Sequence, residues 1–157
     1  LVAVAPEQVA LTASTTDGCN VVLTGLDFGP EDEVITTTDE HFGLIGPLHA
    51  SSARVVVAPP DPDAIVAAVT PRTRLLALSH VLWTTGQVLP VHELRERTGL
   101  PILVDAAQSV GAIPVDEAEG AVLAWGVPTR GKNSLTTVPS PGSEHICIDP
   151  PDCWANP

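Results

Sequence analysis

Residues 100–111 read LPILVDAAQSVG, a short apolar run that ends abruptly on an acid. An aliphatic run after a proline is typical of a strand buried on both faces of a parallel sheet. Asp105 then lies at the carboxyl end of that strand, where open α/β sheets bind their ligands. We therefore predict that Asp105, and Gln108 three residues later, face a binding crevice. The alternative is that Asp105 caps a following helix, since Asp is a preferred N-cap residue.

Strand and helix patterns alternate along the rest of the chain. Apolar runs predict strands over residues 9–13, 54–58, 74–79 and 100–104, and residues 31–38 read as a charged turn that runs into a β-rich segment. Apolar spacings of three and four predict helices over residues 17–26, 42–51, 61–69 and 91–97, the second interrupted by Gly46 and Pro47. Strands that alternate with helices predict an α/β fold with a doubly wound, mostly parallel sheet.

Composition and charge restrict the partners of the chain. Its 157 residues, 44% hydrophobic and 17% charged, suffice for one domain with a core. The formal charge of −12 argues against nucleic acid and anionic membrane as partners. Three cysteines without a disulfide spacing, and the lack of a signal-like or membrane-spanning segment, favour a reducing cytoplasm.

The two ends of the chain differ from its middle. The sequence has no methionine and begins directly in a strand-like stretch, which we interpret as an excised fragment or a broken reading frame. Residues 1–119 are expected to form the core, whereas residues 120–157 form a divergent, proline-rich tail that is either frameshifted or disordered.

The stretch VDAAQSVGAIPVD at residues 104–116 resembles the class V aminotransferase family of fold-type I enzymes that use pyridoxal 5'-phosphate (PLP). This family includes cysteine desulfurases, isopenicillin N epimerase and ergothioneine-pathway lyases. The resemblance implies a partial large domain, with Asp105 paired to the protonated pyridine nitrogen and Gln108 hydrogen-bonded to the ring hydroxyl. A carboxylate beside the nitrogen favours its charged form, which is the electron sink of the cofactor.

The stretch STTDGCN at residues 14–20 starts a predicted helix. Free N–H groups, hydroxyls and the positive end of the helix dipole together bind phosphate well. The resemblance identifies this stretch as the loop around the cofactor phosphate, with Thr15 and Thr16 as its ligands. The alternative is a plain capping motif.

Glu40 and His41 follow a predicted strand. In the resembled family an acid-histidine pair stands here, and the resemblance implies that His41 stacks on the cofactor ring and assists proton transfers. An imidazole suits both tasks, because it has a flat face and a pKa near neutrality. The alternative is a half-buried histidine at a helix start.

The stretch SHVLWTTGQVLP at residues 79–90 resembles the SHVxxxTG loop of the family. The resemblance places His80, Trp83 and Thr84 on the substrate side of the cofactor. The asparagines of many cysteine desulfurases are missing here, which favours the epimerase and ergothioneine-lyase side of the family. Alternatively, Trp83 only contributes packing.

The only lysine of the chain is Lys132. In the family a Ser-Gly-x-Lys-Trp motif supplies the lysine that forms the Schiff base, the internal aldimine, with the cofactor. Lys132 is at roughly the family's distance from Asp105, although Gly131 and Lys132 are adjacent where the family separates them by one residue. Lysine is required for this bond. The alternative is an exposed loop lysine.

Other kinds of site find little support in the sequence. His145, Cys147 and Cys153 match no common structural zinc spacing and lack a fourth ligand, so we predict no metal site. The GxSxG elbow and the common nucleotide-binding fingerprints are also missing.

The function that follows from the resemblance is a PLP-dependent enzyme acting on an amino acid, and a homodimer is expected for the full-length family. His41 and Lys132 would be its catalytic residues. Two alternatives remain: a catalytically inactive truncated relic, and a non-enzymatic acidic α/β interaction module.

Overall fold

The computed structural model describes residues 10–115, 121–126 and 134–136. The helices in these ranges are α1 (Thr15–Gly25), α2 (Phe42–Ala50), α3 (Pro62–Ala67) and α4 (Val91–Thr98). The strands are β1 (Ala10–Thr12), β2 (Glu33–Thr37), β3 (Arg54–Ala58), β4 (Thr73–Ser79), β5 (Ile102–Asp105), β6 (Ala121–Gly126) and β7 (Ser134–Thr136). No helix in these ranges has the length and apolar character needed to cross a membrane.

One sheet contains all these strands, in the spatial order β1-β7-β6-β5-β4-β2-β3. From β3 to β6 every neighbouring pair is parallel, whereas β7 is antiparallel to both β6 and β1. Parallel neighbours need a crossover connection, and α2, α3 and α4 lie between successive parallel strands in the chain. The predicted α/β fold with a mostly parallel sheet is confirmed.

Helices cover both faces of the sheet. Along β5, Leu103 packs in a cluster with residues of α1 and α2, whereas its neighbours Ile102 and Val104 pack in a second cluster with residues of α3 and α4. All three side chains are fully buried. Burial of each such aliphatic side chain contributes about 1.5–3 kcal/mol. The continuous apolar run of β5 therefore follows from its position between two helical layers.

The helix α2 differs from the sequence-based expectation. It runs without interruption through Gly46 and Pro47, so the predicted break is wrong. Proline at the sixth helical position removes one hydrogen bond. Pro47 is itself buried, as are Leu44 and Leu48 on the same face. Leu44 and Leu48 pack in one cluster with residues of the sheet, and this burial offsets the lost bond.

The strand β6 begins just after the boundary predicted between residues 119 and 120. It pairs in parallel with β5, so that Asp105 lies opposite Ala124, and β7 in turn pairs with β6. These two strands belong to the same sheet as the predicted core.

The amino end of β2 carries a buried carboxylate, Glu33, which is only 2% exposed. Arg72 donates to Glu33 Oε1 from two nitrogens, at 2.8 and 3.1 Å, and Arg54 donates to the same oxygen at 3.3 Å. The Thr70 hydroxyl donates to Oε2. Hydrogen bonds from Thr70 and Arg72 hold the pKa of Glu33 below its ordinary value. This buried charge is thus neutralised within the fold.

Candidate active site

A cleft of about 220 Å³ opens at the carboxyl ends of β4 and β5, next to the first turns of α1 and α2. This is the edge at which parallel α/β sheets bind ligands. Six residues predicted from the sequence line the cleft: Thr15, Thr16, His41, Trp83, Asp105 and Gln108. They come from four separate segments of the chain.

Asp105 is the last residue of β5 and is 6% exposed. Its Oδ1 accepts a hydrogen bond from the backbone N–H of Ala107 at 3.0 Å. The segment that follows is a turn, closed by a bond from the N–H of Ser109 to the carbonyl of Ala106, so Asp105 does not cap a helix. Within the described ranges, no basic side chain forms an ion pair with it.

The electrostatics of Asp105 follow from this burial. Loss of solvent raises the pKa of its carboxyl above the ordinary value, while the bond from Ala107 and the neighbouring His41 oppose the rise. A cationic N–H group that entered the cleft would stabilise the charged carboxylate. Gln108 lies exposed on the turn just after Asp105 and presents an amide at the same cleft.

The first turn of α1 forms a second wall. Ser14 caps the helix, because its hydroxyl accepts the N–H of Asp17 at 3.0 Å, and the Asp17 carboxylate accepts the N–H of Ala13 at 3.1 Å. This is the capping motif that the sequence left as an alternative. Because Ser14 forms the cap, the hydroxyls of Thr15 and Thr16 are left to line the cleft beside the amino end of the helix.

Gly43 lies where α1 and α2 approach each other, and sequence reasoning missed it. A Cβ atom at this position would lie 2.7 Å from Thr16 Oγ1 and 3.0 Å from His41 Nδ1. A side chain here would displace one of these two groups. The available signal was a glycine in a first helical turn, which lowers helix stability and so calls for another reason to be there.

His41 is the N-cap residue of α2. Its Nδ1 accepts the N–H of Gly43 at 3.0 Å, so by this geometry the imidazole carries its hydrogen on Nε2. The ring lies 3.9 Å from the Phe42 ring, centroid to centroid, and 5.3 Å from the ring of Trp83, which it meets edge-on at 89°. The tautomer and the plane of His41 are therefore both fixed by neighbours.

The loop over residues 80–90 contains the three residues predicted on the substrate side. Trp83 is 53% exposed at the mouth of the cleft. His80 is half-buried, and its backbone N–H donates to the carbonyl of Asp105 at 3.0 Å. Thr84 is exposed on the turn. Of the three, Trp83 lines the cleft and the side chains of His80 and Thr84 lie outside its lining.

Glu40 is a further buried carboxylate at this edge, 9% exposed, to which the sequence gave no role of its own. Its Oε1 accepts the Thr37 hydroxyl at 2.6 Å and its Oε2 accepts the backbone N–H of Ser79 at 2.8 Å. Ser79 itself lies opposite Asp105 in the sheet. Burial raises the pKa of Glu40 above its ordinary value, and the charge of Asp105 adds to the rise.

Lys132 lies outside the described residues. The described strand ends on either side of it are Gly126 and Ser134, which are paired across β6 and β7. His145, Cys147 and Cys153 also lie outside the described ranges. Within those ranges, no group of three or more His, Cys, Asp and Glu side chains is arranged to hold a metal ion.

Comparison with known proteins places this geometry in a family. The profile of aminotransferase class-V matches residues 1–124. The chain belongs to this family. The resemblance stated from residues 104–116 is thus confirmed, and the aminotransferase class-V match ends within β6, at the strand that lies beside Asp105.

Two curated members of the class-V family are similar to the chain. A probable cysteine desulfurase of Mycolicibacterium paratuberculosis is 35% identical over 130 residues, which cover 72% of this chain and 19% of the relative. An isopenicillin N epimerase of Streptomyces clavuligerus is 32% identical over 127 residues, which cover 71% of this chain and 32% of the relative. The chain thus spans a third or less of the curated relatives it matches.

Solved structures agree with the class-V assignment. A lysine-to-alanine mutant of C-DES, with glycine covalently linked to its PLP cofactor, superposes with a TM-score of 0.79 at 30% identity, covering 85% of this chain and 41% of that one. The cystine C–S lyase C-DES in complex with cysteine persulfide gives a TM-score of 0.74 at 30% identity, covering 85% and 42%. The fold of this class-V chain is therefore that of part of these enzymes.

Proposed function

We propose that the chain is the cofactor-binding part of a PLP-dependent enzyme that acts on an amino acid. The observation that carries this proposal is the cleft itself, in which a helix amino terminus and a buried carboxylate without a cationic partner, Asp105, face the same space. The solved relative C-DES holds PLP, a molecule with an anionic phosphate and a basic ring nitrogen. The two ends of the cleft are complementary to these two groups.

Asp105 fits the ring nitrogen. It is desolvated, it retains acceptor capacity beyond its bond to Ala107, and no described basic group neutralises it. A carboxylate in this state favours a protonated pyridine as its partner. When bound, PLP supplies the electron sink that labilises bonds at the substrate Cα. Asp105 would preserve that property by keeping the nitrogen protonated, and Gln108 would donate its amide to the ring oxygen.

Thr15 and Thr16 fit the phosphate. Both belong to the first turn of an eleven-residue helix, where N–H groups lack helical acceptors and the dipole is positive. Their hydroxyls add two further donors at the cleft. We assign the phosphate to this end, which orients the ring toward Asp105.

His41 is suited to stack over the pyridine ring of the cofactor. Its flat imidazole lines the cleft and is held by the Gly43 N–H and by the rings of Phe42 and Trp83. With Nδ1 occupied as an acceptor, the Nε2–H group is left to donate. His41 would then hold a proton for transfer to or from the substrate.

Lys132 is the proposed nucleophile for the cofactor aldehyde. It is the only lysine in the chain and is two residues from Ser134 in the sequence. Gly126 and Ser134 lie past the position of Ala124, the partner of Asp105, at the same edge of the sheet. The chain thus enters and leaves the segment that contains Lys132 next to the cleft.

The remaining assignments extend this proposal to the whole protein. We place His80, Trp83 and Thr84 near the amino-acid substrate, since their loop forms one rim of the cleft. A homodimer in the cytoplasm, without nucleic acid or membrane partners, fits the net charge of −12 and the exposed rings of Phe42 and Trp83 beside the cleft.

The test is an absorbance titration of the purified chain with PLP, followed by borohydride reduction and mass mapping of the adduct. We expect a visible band and a stable adduct on Lys132, both lost in Lys132→Ala. Arg130→Ala, a neighbouring cation without a reactive amine, is the matched control and should keep both. The α-amino group is the only other primary amine, so mapping distinguishes the two sites.

Two results would contradict the proposal. One is the absence of any saturable band. The other is an adduct of equal yield in the wild type and in Lys132→Ala. Either result would favour an inactive relic over an enzyme.

A further inference from the structure

We infer that Glu40 is a positioning residue for His41: its buried carboxyl ties the turn between β2 and α2 to the end of β4, and so holds the imidazole at the cleft. The inference rests on the proposed cofactor site, because that site gives the position of His41 its function. Neither the cleft lining nor the sequence assigns Glu40 a role, yet it is among the most buried charged side chains described.

The contacts of Glu40 join two elements that the chain separates widely. The Thr37 hydroxyl, at the end of β2, donates to Oε1 at 2.6 Å. The Ser79 N–H, 39 residues away at the end of β4, donates to Oε2 at 2.8 Å. A single carboxyl therefore bridges the carboxyl ends of two neighbouring strands, immediately before His41 in the chain.

The same strand end also carries Asp105. Ser79 lies opposite Asp105 in the register of β4 and β5, and the next residue, His80, donates its N–H to the Asp105 carbonyl. Glu40 thus holds the turn that bears His41 to the backbone that lies beside Asp105. Without this connection, the imidazole of His41 keeps only its bond to Gly43 and its ring contacts among the described residues. The His41 carbonyl still accepts the N–H groups of Leu44 and Ile45 within α2.

Two physical roles for Glu40 are distinguishable: a tie by hydrogen bonds, and a second negative charge near the cofactor. Glutamine separates them. In Glu40→Gln the amide oxygen can accept the Ser79 N–H, while the amide nitrogen donates to the Thr37 hydroxyl, which rotates to accept. Glu40→Gln therefore keeps both ties and removes the charge, whereas Glu40→Ala removes both.

The experiment combines two measurements on the full chain. Long-range ¹⁵N–¹H correlation spectra of the histidine side chains, without cofactor, report the tautomer of His41, with the signal assigned through His41→Gln. A titration with PLP then gives the dissociation constant and the position of the absorbance band. The first measurement does not depend on cofactor binding, so a chain that fails to bind PLP refutes the proposed function and leaves the inference about Glu40 testable.

We expect a single Nε2–H tautomer in the wild type and in Glu40→Gln. In Glu40→Ala we expect mixed tautomers and a PLP dissociation constant raised by about tenfold. Asp39→Ala is the matched control, because Asp39 is a carboxylate in the same turn whose described bond is to its neighbour Thr38. It should behave as the wild type.

The inference is overturned if Glu40→Gln is as impaired as Glu40→Ala, which would identify the charge as the active feature. It is also overturned if Glu40→Ala leaves the His41 spectrum unchanged, or if Asp39→Ala changes it equally. If Glu40→Ala fails to fold, the Thr37→Val variant tests the inference in its place. This variant removes one of the two ties, so an unchanged His41 spectrum in Thr37→Val would also refute the inference.

Discussion

Carboxylates are buried at both ends of the parallel strands, but the two ends differ in the partners of these carboxylates and in the direction of their pKa shifts. At the amino end, Glu33 receives hydrogen bonds from Thr70, Arg72 and Arg54, and its pKa is lowered. At the carboxyl end, Asp105 and Glu40 have no ion pair within the described residues, and burial raises the pKa of each. A buried carboxylate is thus paired with arginine at the amino end and has no described ion pair at the carboxyl end.

This difference distinguishes a structural role of the amino edge from a proposed binding role of the carboxyl edge. A buried charge without a counter-charge opposes folding more than a paired one does, because pairing offsets part of the cost of desolvation. A fold retains such an arrangement where a ligand completes it, which is why locally unfavourable groups concentrate at functional sites. The amino edge is therefore a structural feature of the sheet, and the carboxyl edge is the proposed site for a cationic ring.

The largest effect is expected from Asp105→Asn. The amide keeps the shape and removes the charge, so the dissociation constant for PLP should rise by about 100-fold, because the protonated ring nitrogen loses its buried partner. A PLP titration measures this. Glu33→Gln, the same change of charge at the other edge, is the control and should leave the dissociation constant unaltered. Equal losses in the two variants would remove the distinction between the edges.

A smaller effect is expected from Gly43→Ala, which alters the shape of the carboxyl edge and leaves its charges intact. The new Cβ would lie 2.7 Å from Thr16 Oγ1 and must displace it or His41, so PLP affinity should fall about tenfold. Gly46→Ala, in the same helix, meets no atom within 4 Å and is the matched control. It should bind PLP normally and gain about 0.5–1 kcal/mol of stability. Normal binding by Gly43→Ala would show that this close approach has no role.

The smallest effect on PLP binding, and the clearest on stability, is expected from Glu33→Gln. Loss of its charge leaves Arg72 and Arg54 without their shared partner, so the melting temperature should fall by several degrees. Glu96→Gln, an exposed acid near His92, is the control and should melt as the wild type does. A Glu33→Gln protein of unchanged melting temperature would mean that the amino edge is no more stabilising than the other edge.

The carboxylates at the two edges of the sheet should change folding stability with pH in opposite directions. Because the pKa of Glu33 is lowered in the fold, its contribution is present above the ordinary value of 4.5 and is lost as pH falls through the folded pKa. Because the pKa of Asp105 is raised, folding stability instead declines as pH rises from its ordinary 3.8 through the folded value. Melting curves across acidic pH should show the first slope reduced in Glu33→Gln and the second reduced in Asp105→Asn. The lowered pKa of Asp32 and the raised pKa of Glu40 leave a part of each slope in place.

Much of the fold was predictable because it depends on local patterns. The apolar runs of β3, β4 and β5 and the spacing of α1 and α4 are periodic over short windows, and the pair between Glu93 and Arg97 on α4 forms at 2.9 Å as its spacing indicates. The continuous α2 was missed, because burial of Pro47 together with Leu44 and Leu48 outweighs the local preference of proline.

The candidate site was predictable only in part. Asp105, His41 and Thr15 carry side chains whose chemistry is visible in the sequence, and their common place in one cleft follows from the carboxyl-edge rule for parallel sheets. Gly43 and Glu40 were not identified, because their roles depend on atoms far away in the chain. The Ser79 N–H that bonds Glu40 is 39 residues distant.

The sequence by itself determined the alternation of strands and helices, the acidic charge, and the resemblance carried by residues 104–116, since each is a property of neighbouring residues. Only the tertiary structure decided which buried carboxylates are neutralised and which are not. The pKa of a buried acid depends on groups that folding brings within a few ångströms. Arg72 reaches Glu33 across 39 residues of chain, whereas no described basic side chain forms an ion pair with Asp105.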